Sequence, residues 1–118
     1  MRFVLPLPPP INHTYRAAYR PSLGRTAFFM DARATAWKKE AERILKTKRK
    51  RAIGSPVEVF VLWFLARDRD CDSGLKLVLD ALKGTVIEDD NQVQALHAFK
   101  EKDARNPRVE VEVWEIES

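Results

Sequence analysis

Four aspartates with close spacing stand out in a chain that is otherwise basic. Asp70 and Asp72 are separated by one residue and Asp89 and Asp90 are adjacent, whereas the 118 residues together carry a formal net charge of +4. Two carboxylates about 4 Å apart repel by roughly 4 kcal/mol at an effective dielectric constant near 20, so a cluster of them needs protons or cations. Oxygen ligands suit Mg²⁺ and Mn²⁺, and basic surroundings favour a polyanionic substrate. The pattern predicts metal-assisted phosphodiester chemistry on nucleic acid.

The spacing of the acidic residues predicts a shared site. Asp70 and Asp72 lie at a predicted strand-to-helix junction, and Lys76 follows four residues after Asp72. In an extended segment the side chains at i and i+2 point to the same side, and residues at i and i+4 share a helix face. A purely structural interpretation is also open, in which Asp72 caps the helix, Asp70 lies in an Asx-type turn and Asp89–Asp90 forms a turn before a strand. Because one short helix joins the two acidic pairs, we favour a shared site.

Basic residues concentrate in residues 46–51, which read Lys-Thr-Lys-Arg-Lys-Arg. Such a run suits contact with DNA phosphates, and it equally suits a solvated helix C-terminus, where cations complement the helix dipole. Two further arginines, Arg67 and Arg69, lie in the charged segment directly before Asp70. The candidates for DNA contact are Lys48, Arg49, Lys50, Arg67 and Arg69.

The remaining composition narrows the class of protein. Cys71 is the only cysteine, which excludes an intrachain disulfide and a cysteine-based zinc site. Neither a signal-peptide-like apolar region nor an apolar run of about 18 residues occurs, so we expect a cytoplasmic protein that does not bind membranes. With 45% hydrophobic and 32% charged residues, the sequence is typical of one globular domain covering residues 1–118.

Hydrophobic periodicity predicts the elements of the first half of the chain. Residues 2–7 alternate like an edge strand and are stopped by prolines, and residues 11–29 have no period, which predicts a long loop. Asp31 is a plausible N-cap for an amphipathic helix that ends near Lys50. In Val57–Leu65 both the odd-numbered and the even-numbered positions are apolar, except for Glu58. This pattern predicts a central strand buried on both faces.

The second half is predicted to add a helix and two strands. Leu75, Val78, Leu79 and Leu82 have helical spacing, and Gly84 ends that helix. Residues 93–99 and 107–116 alternate like strands, and we expect them to form a hairpin around residues 103–106. The order β-α-β-α-β-β predicts an α/β or α+β fold, a small mixed sheet with two helices packed on one face.

Four stretches of this sequence resemble the RusA-type Holliday-junction resolvases of bacteria and their phages. In order they cover nearly the whole chain, and their combination is more specific than any one of them. They are Pro8-Pro9-Pro10-Ile11-Asn12-His13-Thr14-Tyr15, Asp70-Cys71-Asp72 with Lys76, Asp80-Ala81-Leu82, and Asp89-Asp90-Asn91-Gln92-Val93.

The resemblance implies a Mg²⁺-dependent homodimeric endonuclease that resolves four-way DNA junctions by paired nicks. It implies that Asp70, Asp72 and Asp90 are the catalytic, metal-binding carboxylates and that Lys76 is the essential cation. The family commonly has Asn directly after the second aspartate, where this chain has Ser73. Two alternatives remain: a junction-binding module without cleavage activity, which Ser73 favours, and a nuclease without preference for branched DNA.

Overall fold

The computed structural model describes residues 1–9, 32–49 and 51–116, and the backbone of residues 15–20 and 25–30. The strands are β1 (Arg2–Leu5), β2 (Tyr15–Arg20), β3 (Arg25–Met30), β4 (Val57–Leu65), β5 (Val93–Lys102) and β6 (Arg108–Glu115). The helices are α1 (Ala32–Lys48) and α2 (Leu75–Leu82), and a 3₁₀ turn (Asp90–Gln92) precedes β5. Apart from the β2–β3 pair, the order is the predicted β-α-β-α-β-β.

The main sheet has four strands in the order β1-β6-β4-β5, which makes it mixed, as predicted. β4 pairs with β5 in parallel, from Val57 opposite Val93 to Leu65 opposite Lys102, and with β6 in antiparallel fashion. β1 is an edge strand, as its proline-rich continuation predicted. The α2 segment connects two parallel strands, so it carries the chain back from the carboxyl end of β4 to the amino end of β5.

The hydrophobic core lies between one face of this sheet and the two helices. It includes the alternate β4 residues, Trp63 among them, together with Trp37 and Leu45 of α1 and Leu82 of α2. The prediction that β4 is buried on both faces was wrong. Its other face carries half-buried Phe60 and Leu62, because α1 and α2 pack on one side only; we call the uncovered side the open face.

The predicted hairpin between the last two strands was also wrong. Their connection does form a turn, in which the Asn106 amide donates to the Asp103 carboxylate at 3.1 Å. However, β4 lies between β5 and β6 in the sheet, so the connection crosses the end of β4. A short connection between two antiparallel segments usually indicates a hairpin. Here both strands instead pair with β4, the most apolar strand of the sheet.

The long loop predicted for residues 11–29 contains a second, two-stranded sheet. β2 and β3 pair in antiparallel fashion, from Tyr15 opposite Met30 to Arg20 opposite Arg25. Neither strand alternates regularly between apolar and polar residues, so periodicity did not reveal them. The predicted N-cap Asp31 and most of the family motif that begins at Pro8 lie outside the described residues.

Candidate functional site

Asp70 and Asp72 lie in a tight turn at the carboxyl end of the sheet, which we call the acidic turn (residues 70–74). The Ser73 amide donates to the Asp70 carbonyl at 3.0 Å, and the Leu75 amide donates to the Asp72 carbonyl at 3.2 Å. The segment is therefore turned rather than extended. Gly74 is the N-cap of α2, and no side chain caps the helix, so the interpretation of Asp72 as the helix cap was wrong. Both aspartates are exposed.

The backbone of the acidic turn is fixed from below by Trp63 and Pro8. The Trp63 indole donates to the Cys71 carbonyl at 2.6 Å. A Cβ at Gly74 would lie 3.0 Å from the Pro8 ring and 3.3 Å from the Trp63 ring, and Gly74 has φ of +94°. Glycine is thus required here both by the close approach and by the left-handed backbone. The turn presents its two carboxylates on a rigid base.

Lys100 of β5 is a residue of the site that the sequence interpretation missed. Its ammonium lies 2.9 Å from the Asp68 carboxylate and 3.2 Å from the Arg69 carbonyl. The hydrogen bond to Asp68 is the main cause that raises the pKa of Lys100, and the charges of Asp68 and Asp70 raise it further. The same hydrogen bond lowers the pKa of Asp68. The parallel register is the only signal that places Lys100 beside the segment leading to Asp70, and it was not visible in the sequence.

Lys76 is in the first turn of α2, directly after the acidic turn. Its side chain is 66% exposed, and its ammonium lies 3.7 Å from the Asp80 carboxylate, four residues further along the helix. Asp80 is part of the Asp80-Ala81-Leu82 stretch that resembles the family. Its carboxylate faces Lys76, one turn earlier in the same helix. Ser73, at the position where the family commonly has Asn, is buried.

The second acidic pair divides into a structural residue and an exposed one. The Asp89 carboxylate accepts from the Asn91 amide at 3.2 Å, and the Asp89 amide donates to the Gln92 side chain at 2.7 Å, which forms a capping box on the 3₁₀ turn. The Asn91 amide is the main cause that lowers the pKa of Asp89. The interpretation of this pair as a turn before a strand is therefore confirmed, with Asp89 as the cap of the turn, whereas Asp90 is exposed.

Asp90 does not lie beside Asp70 and Asp72 in one chain. The acidic turn follows the carboxyl end of β4, whereas Asp90 precedes β5, whose first residue pairs with the first residue of β4. Strands rise about 3.3 Å per residue, so the two ends of the nine-residue β4 are roughly 25 Å apart. Among the described residues no group of three or more His, Cys, Asp or Glu side chains could hold a metal ion. The expectation that one chain brings both pairs together was wrong.

The candidate DNA contacts fall at both ends of the sheet. Lys48 and Arg67 are exposed. Arg49 donates to the Arg51 carbonyl at 2.6 Å, and Arg69 donates to the Pro8 carbonyl at 2.9 Å, so both guanidinium groups make contacts within the chain. The prediction for Lys50 lies outside the described residues.

The end of α1 is on the Asp90 side of the sheet. The segment between α1 and β4 contacts the 3₁₀ turn, because the Gln92 side chain donates to the carbonyls of Ile53 and Ser55 at 2.7 and 2.8 Å. The cationic run thus lies near one acidic position, and the charged segment with Arg67 leads into the other.

The donor chemistry of the acidic turn suits a hard cation. Two exposed carboxylates in one turn match Mg²⁺ or Mn²⁺, which take one or two protein carboxylates and leave other positions to water and phosphate oxygens. The fit is partial within one chain, because the third predicted ligand, Asp90, lies at the other end of the sheet.

A comparison with protein-family models gives the family. The model of Endodeoxyribonuclease RusA matches residues 6–114, and the chain therefore belongs to that family, whose members resolve Holliday junctions. No individual curated protein matches the chain. None of the described helices has the length and apolar character needed to cross a bilayer.

Proposed function

We propose that this member of the RusA endodeoxyribonuclease family is a Mg²⁺-dependent nuclease that resolves four-way DNA junctions by paired nicks as a homodimer. The observation that carries the proposal is the acidic turn, which presents exposed Asp70 and Asp72 on a rigid base of Trp63 and Pro8. A turn that served only to begin α2 would not need two charged side chains, since neither caps the helix.

The roles of the side chains follow from their positions. Asp70 and Asp72 would hold Mg²⁺, which when bound polarises the scissile phosphate and lowers the pKa of an attacking water. Lys76, exposed at the start of α2, stabilises the negative charge that builds on the phosphate in the transition state. Its ammonium lies 3.7 Å from the carboxylate of Asp80, four residues along the helix. Arg67 contributes a cation that attracts the DNA backbone.

The separation of Asp90 from the acidic turn favours a site shared between two subunits. If Asp90 is a ligand, it reaches Asp70 and Asp72 only in a second copy of the chain. Two-fold association is the commonest oligomeric arrangement, and it makes two equivalent sites, each with the acidic turn of one subunit and Asp90 of the other. Two such sites match the two symmetric nicks that junction resolution requires.

The test is a cleavage assay with Mg²⁺ on a four-way junction, a linear duplex and a flap, with Asp70→Asn as the inactive control. We expect paired nicks in the junction, much slower cleavage of the other substrates and no cleavage in EDTA. Tight junction binding without cleavage would identify a binding module, the interpretation that Ser73 favours. Equal cleavage of all three substrates would identify a nuclease without branch preference.

A further inference from the structure

We propose that a cavity beside the acidic turn binds one nucleobase of the DNA substrate, extruded from the duplex next to the scissile phosphate. This inference rests on the proposed function and names the part of the substrate that selects the branch point. The cavity has a volume of about 380 Å³, above the lower end, about 300 Å³, of the cavities that hold small organic ligands. Its lining includes Leu65, Ala66, Asp68, Lys100 and Glu101.

The cavity opens on the same side of the sheet as the acidic turn. Lys100, which lines the cavity, is in register with Trp63 of β4, and Trp63 is buried under the helices. The Trp63 indole also donates to the Cys71 carbonyl of the acidic turn. Cavity and turn therefore share the helix-covered side, where one DNA strand can contact both of them.

The cavity lies within about one nucleotide of the proposed metal ligands. Asp68 of its lining precedes Asp70 by two residues, a span of at most about 7 Å along the chain. Successive nucleotides of one strand advance about 3.4 Å along the axis of a duplex. A phosphate held at Asp70 and Asp72 thus places the base of a flanking nucleotide at the mouth of the cavity.

The lining suits a base better than a phosphate. Leu65 and Ala66 form an apolar part of the wall, which matches the flat face of a nucleobase. The Lys100 ammonium is held by the Asp68 carboxylate at 2.9 Å, so a phosphate at this ammonium would also meet a negative charge. Carboxylates such as Asp68 and Glu101 instead accept hydrogen bonds from the amino groups on base edges. The cavity therefore combines an apolar wall with acceptors for a base.

A base enters such a cavity only after it has left the stack of the duplex. The free energy that extrusion costs is smallest for a base that is unpaired, mismatched or single-stranded. A branch point interrupts the continuous stacking of the strands, so extrusion costs less there than in a linear duplex. Once bound, the base fixes the neighbouring phosphate over the acidic turn. The cavity thus favours cleavage at a branch point over cleavage of a continuous duplex.

The first test measures extrusion without cleavage. 2-Aminopurine, whose fluorescence is quenched by stacking, replaces each base around the branch point in turn, and each junction is saturated with protein in EDTA. We expect the wild type to raise the fluorescence severalfold at one position in each of two symmetric strands. Ala66→Phe, whose phenyl group fills the cavity, should abolish this rise. Ala36→Phe, at an exposed position of α1, is the matched control and should retain it. Circular dichroism confirms that both variants are folded.

The second test compares cleavage of the normal junction with cleavage of a junction that has an abasic site at the position found in the first test. Loss of the base should slow the wild type about 10-fold to 100-fold, because the scissile phosphate is no longer held in position. Ala66→Phe should slow cleavage of the normal junction to a similar extent and lose nothing further on the abasic junction, since both changes remove the same contact. Ala36→Phe should match the wild type on both substrates.

The outcomes separate this inference from the proposed function. If no position gains fluorescence with the wild type, or if Ala66→Phe retains the gain, the cavity is not a base site, and the nuclease proposal stands. Independent losses from the abasic site and from Ala66→Phe, which multiply when combined, would also overturn the base site. A gain that Ala66→Phe abolishes, in a protein that never cleaves junctions, would support the base site and overturn the proposed function. The scan with the wild type tests the inference without any variant.

Discussion

Lys100 at the end of β5 and Asp68, two residues before Asp70, are joined by a direct ion pair with 2.9 Å between Nζ and Oδ1. The same ammonium also donates to the Arg69 carbonyl. β5 therefore fixes the backbone that leads into the acidic turn. Lys100 contacts the two residues before Asp70, and we infer that it positions Asp70.

Lys100→Met should lower the rate of junction cleavage by about 10-fold to 100-fold, the usual cost of removing a group that orients a metal ligand. The Mg²⁺ concentration for half-maximal activity should rise, while junction binding without metal should change little. Lys102→Met, on the same strand and exposed, is the matched control. Asp68→Asn combined with Lys100→Met should cost no more than either change alone. Equal losses for Lys100→Met and Lys102→Met would show only a general loss of positive charge.

Asp90→Asn should abolish cleavage and retain junction binding, because it removes a predicted metal ligand from an exposed position. Asp89→Asn is the matched control, since it removes the same charge one residue away while Asn still serves as an N-cap. It should therefore keep most of the activity and the thermal stability of the wild type. Single-turnover cleavage and gel-shift assays on one junction measure both properties. If Asp89→Asn is inactive and Asp90→Asn is active, the assignment of roles within the pair is wrong.

Arg67 and Arg69 should behave differently although they are only two residues apart. Arg67 is exposed, so Arg67→Gln should weaken junction binding and reduce the slope of log K against log salt by about 0.9 for one lost phosphate contact. Arg69 is partly buried and donates to the Pro8 carbonyl, so Arg69→Gln should mainly lower the melting temperature. Salt titrations and thermal melts of both variants check this. An unchanged slope for Arg67→Gln would remove it from the DNA-binding surface.

Much of the fold could be predicted from local patterns, because burial of one face imposes a period on the sequence. α1, β4 and the valines of β6 were predicted within a few residues on that basis. The pairing of the strands could not be predicted in this way. Whether β5 pairs with β4 or with β6 depends on which of two long-range pairings has the lower free energy. Neither pairing leaves a periodic pattern in the local sequence.

The candidate site shows the same division between local and long-range information. The carboxylates were visible as residue types, and a turn at Asp89 and Asp90 was open as an alternative. The wrong step was to place both acidic pairs together because α2 joins them. A helix of eight residues is about 12 Å long, and it returns the chain along the sheet, so it separates its two ends. Lys100 was missed because only the parallel register brings it near Asp68.

Arg108 should stabilise the fold in a pH-dependent way. Its guanidinium donates to Asp103 at 2.9 Å and to buried Glu110 at 2.7 Å, and the bond to Arg108 is the main cause that lowers the pKa of Asp103. A lowered carboxyl pKa contributes stability above its unfolded value, near 3.9, and this contribution is lost as the pH falls through the lowered value. Arg108→Met should therefore lower the melting temperature at pH 7 by several degrees and by much less near pH 2. Thermal melts across this range check it, and a constant difference would contradict it.

The shared site leads to a prediction about mixtures of two inactive proteins. In a dimer of Asp72→Asn and Asp90→Asn subunits, one composite site receives both changes and the other receives neither. Equilibrated mixtures should therefore nick a supercoiled cruciform plasmid once, giving open circles, although each protein alone is inactive. Mixtures of Asp70→Asn with Asp72→Asn are the matched control. They should stay inactive, because every composite site then contains an acidic turn that has lost one of its two carboxylates. At equal concentrations about half of the dimers are mixed and each of these has one intact site of its two, so nicking should approach about a quarter of the wild-type rate per site. Inactivity of both mixtures, with exchange of subunits confirmed by mass, would remove the shared site.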